Sequence, residues 1–269
     1  MKHPLFVPAV MIIVILMPSS LVLAQTFTNL HNFDQGAFIS DTIYTNNDGT
    51  EPVAGMVLSA NTLYGTASQG GAEGNGTVFK INIGGSDFTN LYTFTATVGQ
   101  TGGLGTNSDG DEPLAGLILL SNVLFGVTGS GGEAGFGTVF RINSDGTDFT
   151  NLHNFSAITN DGANPEAQLI LLNNTLYGTA TGGGSSGNGA IFKLNIDGTD
   201  YTNIYSFSAT SGTQPIGTGV QMCVLELETT GKFGRSMRRS IQRMHGADQI
   251  GQRGIKKFRW RTHAQQIFR

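Results

Sequence analysis

A seven-residue string, Phe27-Thr28-Asn29-Leu30-His31-Asn32-Phe33, returns three times along the chain and limits the possible fold more than any other feature. It reappears as FTNLYTF at 88–94, FTNLHNF at 149–155 and YTNIYSF at 201–207, at intervals of 61, 61 and 52 residues. Two further strings travel with it in fixed order. LYGTAS at 63–68 returns as LFGVTG at 124–129 and LYGTAT at 176–181, and GTVFKIN at 76–82 returns as GTVFRIN at 137–143 and GAIFKLN at 189–195. Such recurrence marks an architecture in which each unit hides its apolar face against the next.

Each unit reads as four short strands. The first is an apolar run, Leu117-Ile118-Leu119-Leu120 or Leu169-Ile170-Leu171-Leu172, as suits a strand covered on both faces. Ser121-Asn122 or Asn173-Asn174 then turns the chain into the LFGV or LYGT strand. A Gly-rich loop, expected as a flexible connection at one rim, leads to the GTVF strand. An Asp-Gly turn, Asp145-Gly146 or Asp197-Gly198, leads on to the FTNL strand, because Gly tolerates positive φ. With 39 glycines and only 13% charged residues, the composition favours many tight turns over long helices. The expected fold is all-β, made of tandem four-stranded antiparallel repeats forming a partial β-propeller. It has three blades at 52–94, 113–155 and 165–207 plus a lone strand at 27–33.

The strings GTVF-[KR]-[IL]-N, DGT-D-[FY]-T-N-[LI], NDGANP at 160–165 and NTLYGT at 61–66 and 174–179 resemble the repeats of the GloVer-type choice-of-anchor tandem repeat proteins. The resemblance covers residues 27–218. It implies a bacterial, exported protein with propeller-like sheets at the cell surface or secreted, and it supplies no catalytic motif.

The two ends carry other signals. Lys2 and His3 precede an apolar stretch from Leu5 to Met17, and Val22-Leu23-Ala24 offers small residues before Gln25. That layout predicts a signal peptide over 1–24, too short and too rich in proline for a spanning helix. Cys223 is the only cysteine, so no intramolecular disulfide can form. Residues 25–219 form the repeat region. Residues 1–219 hold four Lys or Arg against sixteen Asp or Glu, and residues 220–269 reverse this with eleven against three. The basic segment is expected to be irregular, a stretch that has left the repeat's reading frame. A polyanion-binding arm is the other reading, and nucleic acid is not an expected partner.

Candidate chemistry is sparse. The loops Asn47-Asp48-Gly49-Thr50-Glu51, Ser108-Asp109-Gly110-Asp111-Glu112 and Asn160-Asp161-Gly162-Ala163-Asn164 share one repeat position. Alternating oxygen ligands around Gly could hold Ca²⁺, and Asp109, Asp111 and Glu112 are the best-placed set, though Asp-Gly is also a good turn. His31 and His153 share their position with Tyr92 and Tyr205, which excludes a ligand or base role and marks them as packing residues with a polar tip. The Gly-rich loops are flanked by strands and lack the helix N-terminus of a phosphate cradle. No catalytic residue and no organic cofactor is expected. The expected role is a non-enzymatic exported scaffold that binds an extracellular glycan or protein through loops. A polysaccharide lyase or hydrolase is the alternative, because paired carboxylates are recognisable only in three dimensions.

Overall fold

The computed structural model describes residues 27–40, 43–99 and 105–208. The expected signal peptide at 1–24 and the basic segment at 220–269 lie outside the described residues. The described residues form sixteen strands, and none of their helices is long and apolar enough to cross a membrane.

Three four-stranded antiparallel meanders follow one another. The first joins β3 (Val57–Ser59), β4 (Thr62–Ala67), β5 (Thr77–Asn82) and β6 (Thr89–Thr93). The second joins β7 (Ile118–Leu120), β8 (Val123–Thr128), β9 (Thr138–Asn143) and β10 (Thr150–Asn154). The third joins β12 (Ile170–Leu172), β13 (Thr175–Ala180), β15 (Ala190–Asn195) and β16 (Thr202–Ser206). These are the expected blades in the expected strand order. Two small ladders join β1 (Ala37–Ser40) to β2 (Ile43–Thr45) and β11 (Gly162–Ala163) to β14 (Gly182–Gly183).

The lone strand expected at 27–33 is not a strand. Its later counterparts pair with the GTVF strand of their own unit, and no GTVF string precedes it in this sequence. The segment still packs like its counterparts: His31 stacks on Phe88, and Phe33 meets Phe79 edge-on. The Asp-Gly connection is longer than a two-residue hairpin, since residues 144–149 separate β9 from β10. Within it Gly146 and Asp148 both take positive φ, and the Asn143 side chain ties down the Asp148 carboxylate at 2.8 Å.

The hydrophobic cores lie between blades. Tyr64, Val78 and Phe94 of the first unit meet Leu117, Leu124, Phe140 and Ile142 of the second. Phe125, Val127, Val139 and Phe155 of the second meet Leu169, Leu176, Phe192 and Leu194 of the third. One sheet cannot hide both its faces, so each blade's trailing face is covered by the leading face of its successor. This face-to-face succession of meanders makes the fold a partial β-propeller.

The LYGT and GTVF strings are two halves of one device. Gly126 is paired across the ladder with Phe140. A Cβ on Gly126 would lie 2.5 Å from the Phe140 ring tip and 2.9 Å from Leu117 Cδ2. Gly65 with Phe79 and Gly178 with Phe192 repeat the arrangement. The phenyl ring lies over the bare backbone and restores the apolar surface that Gly lacks. The Asp-Gly turn meets a similar constraint from outside its own sheet: a Cβ on Gly146 would stand 2.9 Å from the Leu91 carbonyl of the preceding blade. In the ladder between β5 and β6 the register shifts at Val78/Phe79, leaving Leu91 as an extra residue, and the second and third blades carry the same bulge.

Gly126→Ala is therefore expected to destabilise the chain by about 1–3 kcal/mol in urea unfolding through overpacking. Gly55→Ala, which meets nothing within 4 Å, should be nearly neutral. Equal effects at the two positions would refute the role assigned to the Phe140 ring.

Candidate functional site

The loops that open each unit converge with the Gly-rich loops on one rim, and the repeated carboxylates sit at their base. Asp48, Asp109 and Asp161 are 7%, 3% and 8% exposed. Each reaches the aromatic residue at the fifth position of the preceding FTNL string. His31 Nε2 lies 2.8 Å from Asp48 Oδ2, Tyr92 Oη donates to Asp109 Oδ2 at 2.8 Å, and His153 Nε2 lies 3.0 Å from Asp161 Oδ1. The same carboxylates accept backbone N–H groups from the outgoing segment: Asp34 on Asp48, Thr95 on Asp109 and Ser156 on Asp161. The hydroxyls of Thr95 and Ser156 add a further bond each.

Each polar junction is roofed by an aromatic stack across the blade boundary. His31 lies on Phe88 at 3.8 Å, Tyr92 on Phe149 at 3.9 Å and His153 on Tyr201 at 3.7 Å, all within 7° of parallel. Tyr and His exchange freely here because both offer a flat ring for the stack and one polar atom for the carboxylate. Burial, the hydrogen bond to Asp109 and the Asp109 charge together push the Tyr92 hydroxyl well above the usual phenol range. Burial and Asp161 do the same to Tyr201. Burial works to raise the Asp161 carboxyl, but bonds from His153, Ser156 and Tyr201 outweigh it and hold the group below the usual carboxylate range.

Of the three residues expected as a calcium set, Asp111 and Glu112 share Ser130 as a partner while Asp109 faces the blade junction. Asp109 turns into the blade junction, where Tyr92 and Thr95 occupy its oxygens. Asp111 exchanges backbone hydrogen bonds with Ser130 of the Gly-rich loop, and Glu112 Oε2 accepts from Ser130 Oγ at 3.4 Å with Glu112 itself at φ 55°. Among the described residues no three His, Cys, Asp or Glu come together to hold a metal ion. Burial, then the neighbouring Glu112 charge, pushes the Asp111 carboxyl up to about 6.

Two organising residues escaped the sequence reading. Asn46 Oδ1 accepts the N–H groups of Gly49 and Gly71, while its amide donates to the carbonyls of Asp34 and Gly49. Asn107 makes the same four bonds to Gly110, Gly132, Thr95 and Gly110 again. The signal available was their equal distance, two residues before Asp48 and Asp109. These bonds overturn the expectation of flexible Gly-rich connections. Gly70, Gly71, Asn75 and Gly76 are buried, Gly70 N donates to Gly74 O, and Gly76 N donates to Gly70 O. Only the tips reach solvent: Ala72-Glu73 in the first blade, Glu133 in the second and Ser185-Ser186-Gly187 in the third.

Tyr92→Phe is expected to cost about 1–2 kcal/mol of stability by removing a hydrogen bond to a buried carboxylate. Tyr92→His, which copies positions 31 and 153, should recover most of it; equal losses would refute the junction. Asp111 gives a pH dependence. Its carboxyl is raised from 3.8 to about 6, so its contribution is fully present below pH 3.8 and is lost as pH rises through about 6. Asp111→Asn should flatten the stability profile between those limits and raise stability at pH 7 by roughly 1–2 kcal/mol, read from thermal melts across that range.

Comparison with known proteins gives a family and distant structural likenesses. A chain of a nidogen–laminin complex matches at 16% identity, covering 64% of this chain and 49% of its own, with a TM-score of 0.38. A putative TolB from Agrobacterium tumefaciens matches at 10% identity, with 65% and 53% covered and a TM-score of 0.38. TolB from Acinetobacter baumannii matches at 9% identity, with 56% and 31% covered and a TM-score of 0.34. The chain thus spans about half or less of the length of these structures. No curated relative matches it. The Gloeobacter/Verrucomicrobia repeat matches residues 24–222, a span that takes in all three blades, and the chain belongs to that repeat family.

Proposed function

We propose that the chain is an exported, non-enzymatic repeat scaffold that binds an extracellular glycan or protein through the tips of its Gly-rich loops. The observation that carries this reading is a division of labour within those loops. Their bases repeat the same buried glycines and hydrogen bonds in successive blades, while the exposed tips differ: Ala72-Glu73, Glu133 and Ser185-Ser186-Gly187. A rigid sheet scaffold that holds variable loop tips side by side is a common basis for recognition. The repeated acidic residues support the same reading, since Asp48, Asp109 and Asp161 are committed to blade junctions. Export rests on the apolar stretch Leu5 to Met17 followed by the small residues that end at Ala24.

The test is to express the full chain in a bacterial host, recover the exported fraction and assay it on a glycan panel for both binding and turnover. The expected chain begins at Gln25 and binds without turnover. Replacing the tip residues Glu73 and Glu133 and the Ser185-Ser186 pair should weaken that binding at least tenfold with the melting temperature unchanged. Turnover abolished by exchange of one carboxylate pair would overturn the scaffold reading in favour of a lyase or hydrolase. Salt-sensitive heparin binding lost on deleting residues 220–269 would favour the polyanion arm.

A further inference from the structure

Residues 27–33 stand in the place of an outer strand with no sheet of their own. The contacts of the later outer strands recur there. His31 reaches Asp48 and stacks on Phe88, and Phe33 meets Phe79 edge-on as Phe94 meets Phe140. The Leu30 carbonyl oxygen would lie 2.9 Å from a Cβ on Gly85, as the Leu91 carbonyl oxygen would from a Cβ on Gly146. What the segment lacks is the ladder. Thr89, Asn90, Tyr92 and Thr93 pair with Lys80, Phe79, Val78 and Thr77, whereas residues 27–33 pair with no strand among the described residues. An extended segment already held in place with a free backbone edge is a template for strand addition.

The leading face of the first blade beside it is bare. Val53, Met56 and Leu58 are 64%, 51% and 57% exposed, whereas Leu117 and Leu169, in the place of Met56 in the next two units, are 0% and 3% exposed. Pro52 is exposed where Pro113 and Pro165 are buried, and Phe33 is half-buried where Phe94 and Phe155 are fully buried. In both later units the cover has one source: the trailing face of a sheet that carries an apolar run, an LYGT-type strand and a GTVF-type strand inside its outer strand. The bare face and the unpaired segment are therefore two sides of one slot, and its outline is that of three inner strands. A second copy of this chain offers no free set, because among the described residues every GTVF-type strand already holds its own outer strand.

We propose that this slot takes the three inner strands of a repeat unit from a partner chain, one that carries the same apolar run, LYGT and GTVF strings and ends that unit before its outer strand. The partner's GTVF strand ladders on residues 28–32 in the register that sets Val78 opposite Tyr92, so its valine stands opposite His31. Its trailing face covers Met56 as the first blade covers Leu117. The result is one blade shared between two polypeptides, joined through a sheet face and not through the loop tips.

The test offers the slot those strands. The sequence of residues 113–143, displayed on a soluble carrier protein, is titrated against the full chain, with the carrier alone as control. Saturable binding is expected, with the backbone amides at 28–32 slowed about tenfold or more in hydrogen exchange. Met56→Lys should weaken that binding about tenfold or more with the melting temperature unchanged, and Val139→Asp in the displayed sequence should do the same from the other side. Val53→Lys replaces Met56→Lys if the latter lowers the melting temperature. Absence of binding, binding that leaves the amides at 28–32 unprotected, or binding indifferent to both charges overturns the proposal. So does self-association of the chain without the carrier that Met56→Lys abolishes, which would give this face to a second copy.

Discussion

Everything in this chain follows from the burial of one sheet's face by the next. Leu117 is fully buried because Tyr64, Val78 and Phe94 of the preceding unit close over it, and Leu169 is buried by the second blade in the same way. Each unit contributes apolar surface that has no use within its own sheet. Apolar transfer of a side chain of this size contributes roughly 1.5–3 kcal/mol, so a boundary lined by several of them outweighs any single polar contact in the structure. The polar contacts then decide how the faces align. The carboxylate at each boundary accepts a side-chain donor and a backbone N–H from the outgoing segment, which admits one registration of blade on blade and penalises others.

Those carboxylates are buried without a full countercharge from Lys or Arg. Hydrogen bonds to the charged form take that role, most fully at Asp161, where four groups converge: His153, the N–H and hydroxyl of Ser156, and Tyr201. Where the donors are fewer and the neighbour is acidic, as at Asp111 beside Glu112, burial prevails and the carboxyl is pushed the other way. Asp161 and Asp111 thus have opposite characters set by what surrounds them, although each adjoins a glycine in the loop that opens its unit.

Strand order and boundaries were legible because they are local. Asn and Gly mark the turns, apolar runs mark the strands, and the repetition of both fixes the unit. What escaped the sequence was direction. An aspartate before glycine advertises two oxygens and no heading, so Asp109 read as a turn residue that could also hold a cation, while its bond to Tyr92 spans 17 positions. Asn46 and Asn107 escaped for the same reason: each gathers its partners from three loops at once. The glycines of the rim were misread because glycine has two uses. It can leave a chain free, or it can let two backbones approach, and a Cβ on Gly70 would meet the Gly49 carbonyl carbon at 2.8 Å. The segment at 27–33 joins no ladder among the described residues, since its sequence alone cannot make one.

The bulge shared by β6, β10 and β16 also governs how the protein behaves in company. These strands form the outer edge of each sheet, where unsatisfied N–H and C=O groups could template another extended chain. The extra residue breaks the even spacing of those groups midway along a five-residue strand, so an incoming strand can match only two or three of them before it falls out of step. A protein with three such edges side by side has, in a residue that in the first two blades also fits the next blade's turn glycine, a built-in guard against growing into fibres.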